Sequence, residues 1–256
     1  MTSQELTRQA VCGRRVYALI AAAGTGSRLG AQVPKSYVLL RGKSLLERSV
    51  IAMITSEIVD EIVVLVSAEM FDFAHQLLSR AQLFEAAVPV RLVVGGGERA
   101  DSVWAGVRSI PDEDAVVLIH DAARALTPPG MIARVTRAVL EGAPAVIPVL
   151  PVSDTIKKVA GSFVVDTPNR ADLRAVQTPQ AFDLALLRAA NEKYFAASNP
   201  GFVATDDASL MEWCGVDVRC VPGDPMALKI TTPLDYTLAA AVVDQAEPTI
   251  FEVPDV

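Results

Sequence analysis

His120, Asp121 and Arg124 follow directly on the apolar run AVVLI, with only Ala122 and Ala123 interrupting them. Charged residues spaced by small ones at the end of a central strand are unusual as packing. Asp121 in that place suits a ribose hydroxyl or a Mg²⁺ ion, and Arg124 suits a phosphate. His120 reads as a satisfied, semi-buried histidine rather than a catalytic one. A second group of residues follows the first apolar run. The segment AAAGTGSRLG brings Gly24, Gly26 and Arg28, and Lys35 comes soon after in Pro34-Lys35-Ser36-Tyr37. Glycines at that point let backbone N–H groups approach a phosphate closely. Arg28 and Lys35 suit a triphosphate that leaves as pyrophosphate, although each could equally be a solvated surface cation.

Two common nucleotide signatures fail. The dinucleotide fingerprint G-x-G-x-x-G needs glycine at position 29, which is Leu29, and this disfavours a dinucleotide-dependent dehydrogenase. The phosphate loop ending in Gly42-Lys43-Ser44 would need its first glycine at Tyr37.

Three further segments carry polar groups. Gly95-Gly96-Gly97-Glu98-Arg99-Ala100-Asp101-Ser102 opens a helix after a strand. Its glycine backbone and Ser102 can read a base edge, or the segment is a flexible turn with Asp101 or Ser102 in the first helical turn. Asp154-Thr155, Arg170 and Gln177-Thr178-Pro179-Gln180 lie along one polar stretch. There Thr155 and Arg170 can hold a second phosphate, with Arg174 as the competing arginine. Thr205-Asp206-Asp207-Ala208-Ser209 reads as a helix cap with an acidic first turn. Lys229, in KITTP, either reaches a bound phosphate or guards a sheet edge.

The elements that must position these residues alternate. Strands are expected at Val16–Ala22, Glu61–Val66, Val88–Val94, Ala115–His120 and Ala145–Leu150. Helices are expected at Ser44–Ile54, Met70–Ala81, Arg99–Ile110 and Pro128–Leu140, then at Asp183–Tyr194, Asp206–Cys214 and Leu234–Val243. Continuous Val/Ile/Leu strands between helices imply an α/β fold with a mostly parallel sheet covered on both faces. The rhythm breaks at Pro151. Residues 151–176 read as an antiparallel arm, and two-strand ribbons are rarely stable alone, so exchange between subunits is expected over a surface hairpin without a partner. Residues 1–15 read as a flexible extension, 16–243 as one domain, and 244–256 as a loosely ordered tail with four acids and two prolines.

Composition bounds the partners. With 256 residues, the chain can bury a sizeable core, and 51% hydrophobic against 21% charged residues is globular composition. A mean hydropathy of +0.34 is not accompanied by any apolar run long enough to span a bilayer. The N-terminus is a poor signal peptide, so a cytoplasmic protein without membrane partners is expected. Twenty-three basic against 30 acidic residues give a net charge of −7, which disfavours nucleic acid as a partner. Cys12, Cys214 and Cys220 form no C-x-x-C, and with His75 and His120 alone beside them a structural zinc site is not expected.

The segments AAAGTGSRLG…PKSY, GGGERADSV, HDAAR, DTIKKV, AVQTPQ, TDDAS and GDPMALKITTPLD, in this order, resemble the 2-C-methyl-D-erythritol 4-phosphate cytidylyltransferases of the non-mevalonate isoprenoid pathway. The resemblance runs from about Val16 to Val243. It implies a Rossmann-like nucleotidyltransferase sheet with a protruding β-arm for homodimerisation. It also implies transfer of CMP from CTP to methylerythritol phosphate, with Mg²⁺ held mainly by the triphosphate and Asp121 beside it. By the same resemblance Arg28, Lys35 and Lys229 are the catalytic cations. Ala22, Ala23, Gly24, Gly26, Gly96, Gly97, Ser102 and Asp121 match CTP contacts. Asp121, Arg124, Thr155, Arg170 and Thr205 match sugar-phosphate contacts, with Thr155 and Arg170 supplied by the partner's arm.

Two positions depart from the family pattern: Ala227 stands where asparagine is frequent, and Ser36 where glutamine is. A fused cyclodiphosphate synthase domain is not expected. Rival expectations are a cytidylyltransferase for another polyol phosphate, such as ribitol 5-phosphate, a sugar-phosphate nucleotidyltransferase using another base, and a nucleotide-binding regulator without turnover.

Overall fold

A computed structural model describes residues 13–24 and 33–245. The first strand, β1 (Arg15–Ala21), shows why the sheet forms. Val16, Ala18 and Ile20 enter one hydrophobic cluster, while Tyr17 and Leu19 enter another. Alternate side chains therefore fill both faces, so the strand reads as one continuous apolar run. The same division holds in β4 (Glu61–Val66) and β6 (Ala115–Asp121).

Helices α1 (Leu45–Thr55), α2 (Phe71–Arg80) and α4 (Pro129–Leu140) cover the first face. Helices α3 (Arg99–Arg108), α5 (Leu184–Ala196) and α6 (Asp207–Trp213) cover the second. Gly106 lets α3 lie directly on the sheet, since a β-carbon there would stand 2.7 Å from Leu65 Cδ2. The last helix, α7 (Pro233–Val242), closes a smaller cluster with Leu40, Leu45, Leu126 and Ile230.

The sheet order explains where a ligand goes. From β1, the chain builds outward through β4 to β5 (Val90–Val94), all parallel, and then returns to place β6 on the other side of β1. The carboxyl ends of β1 and β6 thus flank a topological switch point, the standard crevice of open α/β sheets. Ala21 pairs with Asp121 there, and Ala122 N donates to Ala21 O at 3.2 Å.

Beyond β6 the order departs from the expected parallel run. The expected strand at 145–150 is β7 (Ala145–Pro151), but it does not pair with β6. Antiparallel β11 (Gln180–Asp183) lies between the two, and β12 (Val218–Pro222) adds in parallel to β7. Periodicity assigns neither, because β11 has four residues and opens on a buried glutamine, while β12 sets Arg219 and Cys220 side by side between its two valines. The break at Pro151 is real. After it come β8 (Lys158–Ala160) and β9 (Phe163–Asp166), an antiparallel pair turned at Gly161, with φ +58°. The chain then returns along β10 (Arg174–Val176), antiparallel to β7. A minor hairpin joins β2 (Leu39–Leu40) to β3 (Lys43–Ser44) ahead of α1.

Boundaries follow local chemistry. Ser44 and Glu47 make a reciprocal cap on α1, and Asp206 and Ser209 do the same on α6. Arg14, ahead of β1, is tied to Asp183 Oδ2 at 2.6 Å and to Asp114. Among the described residues no helix is long and apolar enough to cross a membrane.

Candidate active site

Asp121 ends β6 with both carboxylate oxygens occupied. Arg99 Nε lies 3.2 Å from Oδ1, and Lys229 Nζ lies 2.7 Å from Oδ2. Burial alone would raise this carboxyl, but Arg99, Lys229 and Arg124 outweigh it and hold it well below the usual carboxylate range. Asp121 is therefore an anion at any physiological pH. Arg99 also meets a second acid, with Nη1 2.8 Å from Asp207 Oδ2. Asp207, beside it, holds the Arg99 guanidinium protonated, and Asp121 adds to this. Burial pushes the Asp207 carboxyl upward, and Arg99 counters it.

The polar motif Gln177-Thr178-Pro179-Gln180 fastens the pieces of this site together. Gln177 accepts from Asp224 N at 2.9 Å and donates to Asp224 O at 2.8 Å, holding the loop that leads to Lys229. Thr178 Oγ1 accepts from Asp121 N at 3.0 Å and meets His120 Nδ1 at 3.2 Å. Gln180 donates to Asp206 Oδ2 at 2.7 Å and accepts from Ala208 N, which fixes the start of α6. Each of these buried amides and hydroxyls satisfies a group that would otherwise be orphaned. Lys229 lies in no strand. It follows a short turn at Pro225–Ala227, and Ile230 N anchors the segment on Ala123 O at 2.9 Å. The sheet-edge reading of Lys229 is therefore set aside.

The remaining expected residues fall into three groups. Ala22, Ala23 and Gly24 lead off β1 beside Asp121, and Ala22 N donates to Leu65 O at 2.9 Å. Gly24 has open space where a side chain would be, as does Gly97. Gly96 is exposed, but a β-carbon there would collide with the Asp101 side chain, and one at Gly95 would collide with Ser102. Ser102 itself is buried and donates toward Gly96 O and Glu98 O, so its hydroxyl holds the glycine loop in shape. Glu98 caps α3, with Asp101 as its reciprocal partner.

Lys35 begins a one-turn helix whose Tyr37 ring is buried in the same core cluster as Ala22. Arg124 donates to Ala227 O at 2.8 Å and to Val176 O at 3.2 Å, stapling two loops. Ala227, at the position where asparagine was noted, is fully buried and contributes its carbonyl oxygen. Thr205 is exposed and lines a cleft of about 40 Å³ with Arg99, Asn191, Tyr194, Asp206 and Asp207.

Thr155 and Arg170 stand on the exposed arm, where Arg170 donates to Ser153 O at 2.7 Å. Arg174 is occupied by Ala171 O and Leu173 O. Gly26 and Arg28 lie outside the described residues. Arg99 and Asp207 were not singled out from the sequence. One signal was present: an arginine in the first turn of a helix opposes the helix dipole and calls for compensating acids.

His120 is fully buried, and burial lowers its imidazole to about 4 despite the pull of Asp121. An unfolded histidine takes up a proton below about 6.5, whereas the folded one does so only near 4. The unfolded state thus binds more protons in that window, and stability falls as pH is lowered through it. The expected loss is about 3 kcal/mol across the window. Urea unfolding between pH 7 and 4 measures it, and His120→Gln should flatten the slope. An equal slope in both proteins would show that His120 titrates normally.

The chain matches the family model described as 2-C-methyl-D-erythritol 4-phosphate cytidylyltransferase over residues 16–245. A protein of that name from Corynebacterium efficiens is 68% identical over 241 residues, covering 93% of this chain and 97% of the relative. Its namesake from Nocardia farcinica is 48% identical over 231 residues, covering 90% of this chain and 94% of its own. Among solved structures, 4-diphosphocytidyl-2C-methyl-D-erythritol synthase from Anaerococcus prevotii superposes with a TM-score of 0.78 at 30% identity. It covers 91% of this chain and 97% of its own. The switch-point crevice and these full-length matches agree: the chain is an enzyme and belongs to the 2-C-methyl-D-erythritol 4-phosphate cytidylyltransferase family.

Proposed function

We infer that the chain transfers CMP from CTP to 2-C-methyl-D-erythritol 4-phosphate, giving 4-diphosphocytidyl-2-C-methyl-D-erythritol and pyrophosphate in isoprenoid precursor synthesis. The observation that carries this reading is the convergence at one crevice of the ends of β1 and β6 and of Lys229, in a chain with full-length relatives of that name.

In this reading Ala22, Ala23, Gly24, Gly26, Gly96 and Gly97 present backbone to the nucleotide, around the loop that Ser102 shapes. Arg28, Lys35 and Lys229 surround the triphosphate. Asp121 and Thr205 face the acceptor, Arg124 adds its charge while holding two loops, and Thr155 and Arg170 come from the arm of a partner subunit. An oxygen of the acceptor phosphate attacks the α-phosphorus of CTP, the new P–O bond forms, and the bond to the β-phosphate breaks. The acceptor is already ionised, so no strong general base is needed, and catalysis is positioning with charge neutralisation.

Among the described residues no group of three histidines, cysteines or acids is placed to hold a metal. Asp121 is a hard oxygen donor, but both its oxygens already face cations. A Mg²⁺ would therefore be carried mainly on the substrate phosphates, with Asp121 beside it. When bound, such an ion would neutralise phosphate charge.

The arm supports a homodimer. Phe163 is 77% exposed, and Val159, Val164 and Val165 are exposed beside it, on a two-stranded ribbon that has no sheet to lie on. Pyrophosphate release tests the whole reading, using CTP, Mg²⁺ and either methylerythritol phosphate or ribitol 5-phosphate. Release with the first alone is expected. Release with ribitol 5-phosphate alone, or with neither, would overturn it.

A further inference from the structure

We propose that Asp207 and Arg99 are positioning residues for this transfer. Asp207 anchors Arg99, Arg99 fixes one oxygen of Asp121, and the other oxygen is thereby held on Lys229. The proposal rests on the functional reading above.

The geometry is a single file of alternating charges. Asp207 Oδ2 is 2.8 Å from Arg99 Nη1, Arg99 Nε is 3.2 Å from Asp121 Oδ1, and Asp121 Oδ2 is 2.7 Å from Lys229 Nζ. It begins at a side chain 6% exposed and ends at one 43% exposed, so the buried end is the anchor and the open end meets the ligand. One cation on each oxygen sets the plane of the Asp121 carboxylate, which a single partner would leave free to turn.

Four elements are joined that share no local backbone: the starts of α3 and α6, the end of β6 and the loop before α7. Asp207 stands two residues after Thr205, so the same anchor fixes the edge of the cleft that Thr205 lines. Stability alone does not account for the arrangement. A buried carboxylate paired with arginine is costly to desolvate, and replacing both partners by apolar side chains of similar volume would fold at least as well. Arg99 in the first turn of α3 also opposes the helix dipole.

A double-mutant cycle with pyrophosphate release as its readout tests the idea, with the wild-type enzyme run in parallel. Asp207→Asn keeps the side-chain volume and removes the charge. It is expected to lower kcat about 10- to 100-fold, leaving KM for CTP within about threefold in an enzyme that still folds, with the thermal melt lowered because Arg99 loses one of its two carboxylates. In an Asp121→Asn background the same substitution should cost less than about threefold, because the residue acts through Asp121. Asp207→Glu should recover part of the loss. Arg99→Lys, which keeps the charge but cannot bridge two carboxylates, should repeat the pattern and serves if Asp207→Asn does not fold.

Wild-type kcat in a folded Asp207→Asn, or equal losses from it in both backgrounds, would overturn the positioning role while the functional reading stands. Absence of turnover in the wild type would instead overturn the functional reading, and the positioning role with it.

Discussion

Lys35→Ala is expected to lower kcat by about 10²–10³-fold while leaving the melting temperature close to wild type. The two halves of this expectation have separate physical grounds. The folding role of the Lys35–Tyr37 turn falls to its neighbours, since Ser36 and Tyr37 are buried and Tyr37 packs edge-on against Phe73 with centroids 5.3 Å apart. The packing of the turn therefore stays in place when the half-buried lysine beside them is shortened. In the proposed function its ammonium instead meets charge that develops as pyrophosphate departs. An interaction stronger in the transition state than in the ground state appears in kcat rather than KM. Steady-state pyrophosphate release with a parallel thermal melt decides the matter. A folded Lys35→Ala enzyme with near-normal turnover would remove Lys35 from the chemistry.

The second large effect concerns the arm. Phe163→Asp combined with Val165→Asp places two charges on the exposed ribbon and is expected to give a monomer with activity lowered at least about 10²-fold. Sedimentation would report the assembly and pyrophosphate release the activity; an active monomer would show that each chain completes its own site. Complementation sharpens the test, because Arg170 and Lys229 would serve the same site from different subunits. Arg170→Ala and Lys229→Ala are each expected to be nearly inactive alone. After mixing and subunit exchange, half of the dimers are mixed and carry one intact site each, so about a quarter of wild-type activity should return. No recovery after proven exchange would place both residues in one chain's site.

Much of the fold was legible locally. The strand Glu61–Val66 is read in full from its apolar run, and α1 begins where Ser44 and Glu47 announce a cap. The break at Pro151 marks a real departure of the chain, since β8 and β9 pair with each other apart from the main sheet. β11 was not legible. Its four residues, Gln180–Asp183, carry no period of their own, and they become a strand because β6 and β7 leave a row of unpaired backbone groups between them. Arg124 shows the same limit within the site. Its sequence context reads as a phosphate ligand, yet its guanidinium is hydrogen-bonded to Ala227 O and Val176 O, a role visible only when those carbonyl groups are beside it.

The sequence by itself determined the alternation of elements, the glycine loops at strand ends, the arm and, through ordered motifs, the family. These are short-range properties, written in periodicity, caps and residues that must be small. Only the tertiary structure decided which charges face one another. Thr178 reaches His120 across 58 residues, Gln177 reaches Asp224 across 47, and Arg99 sits between Asp121 and Asp207. Burial makes such pairings obligatory, because an unpaired polar group away from water is costly. Which partner satisfies it depends on what the fold brings near, and spacing along the chain carries no record of that.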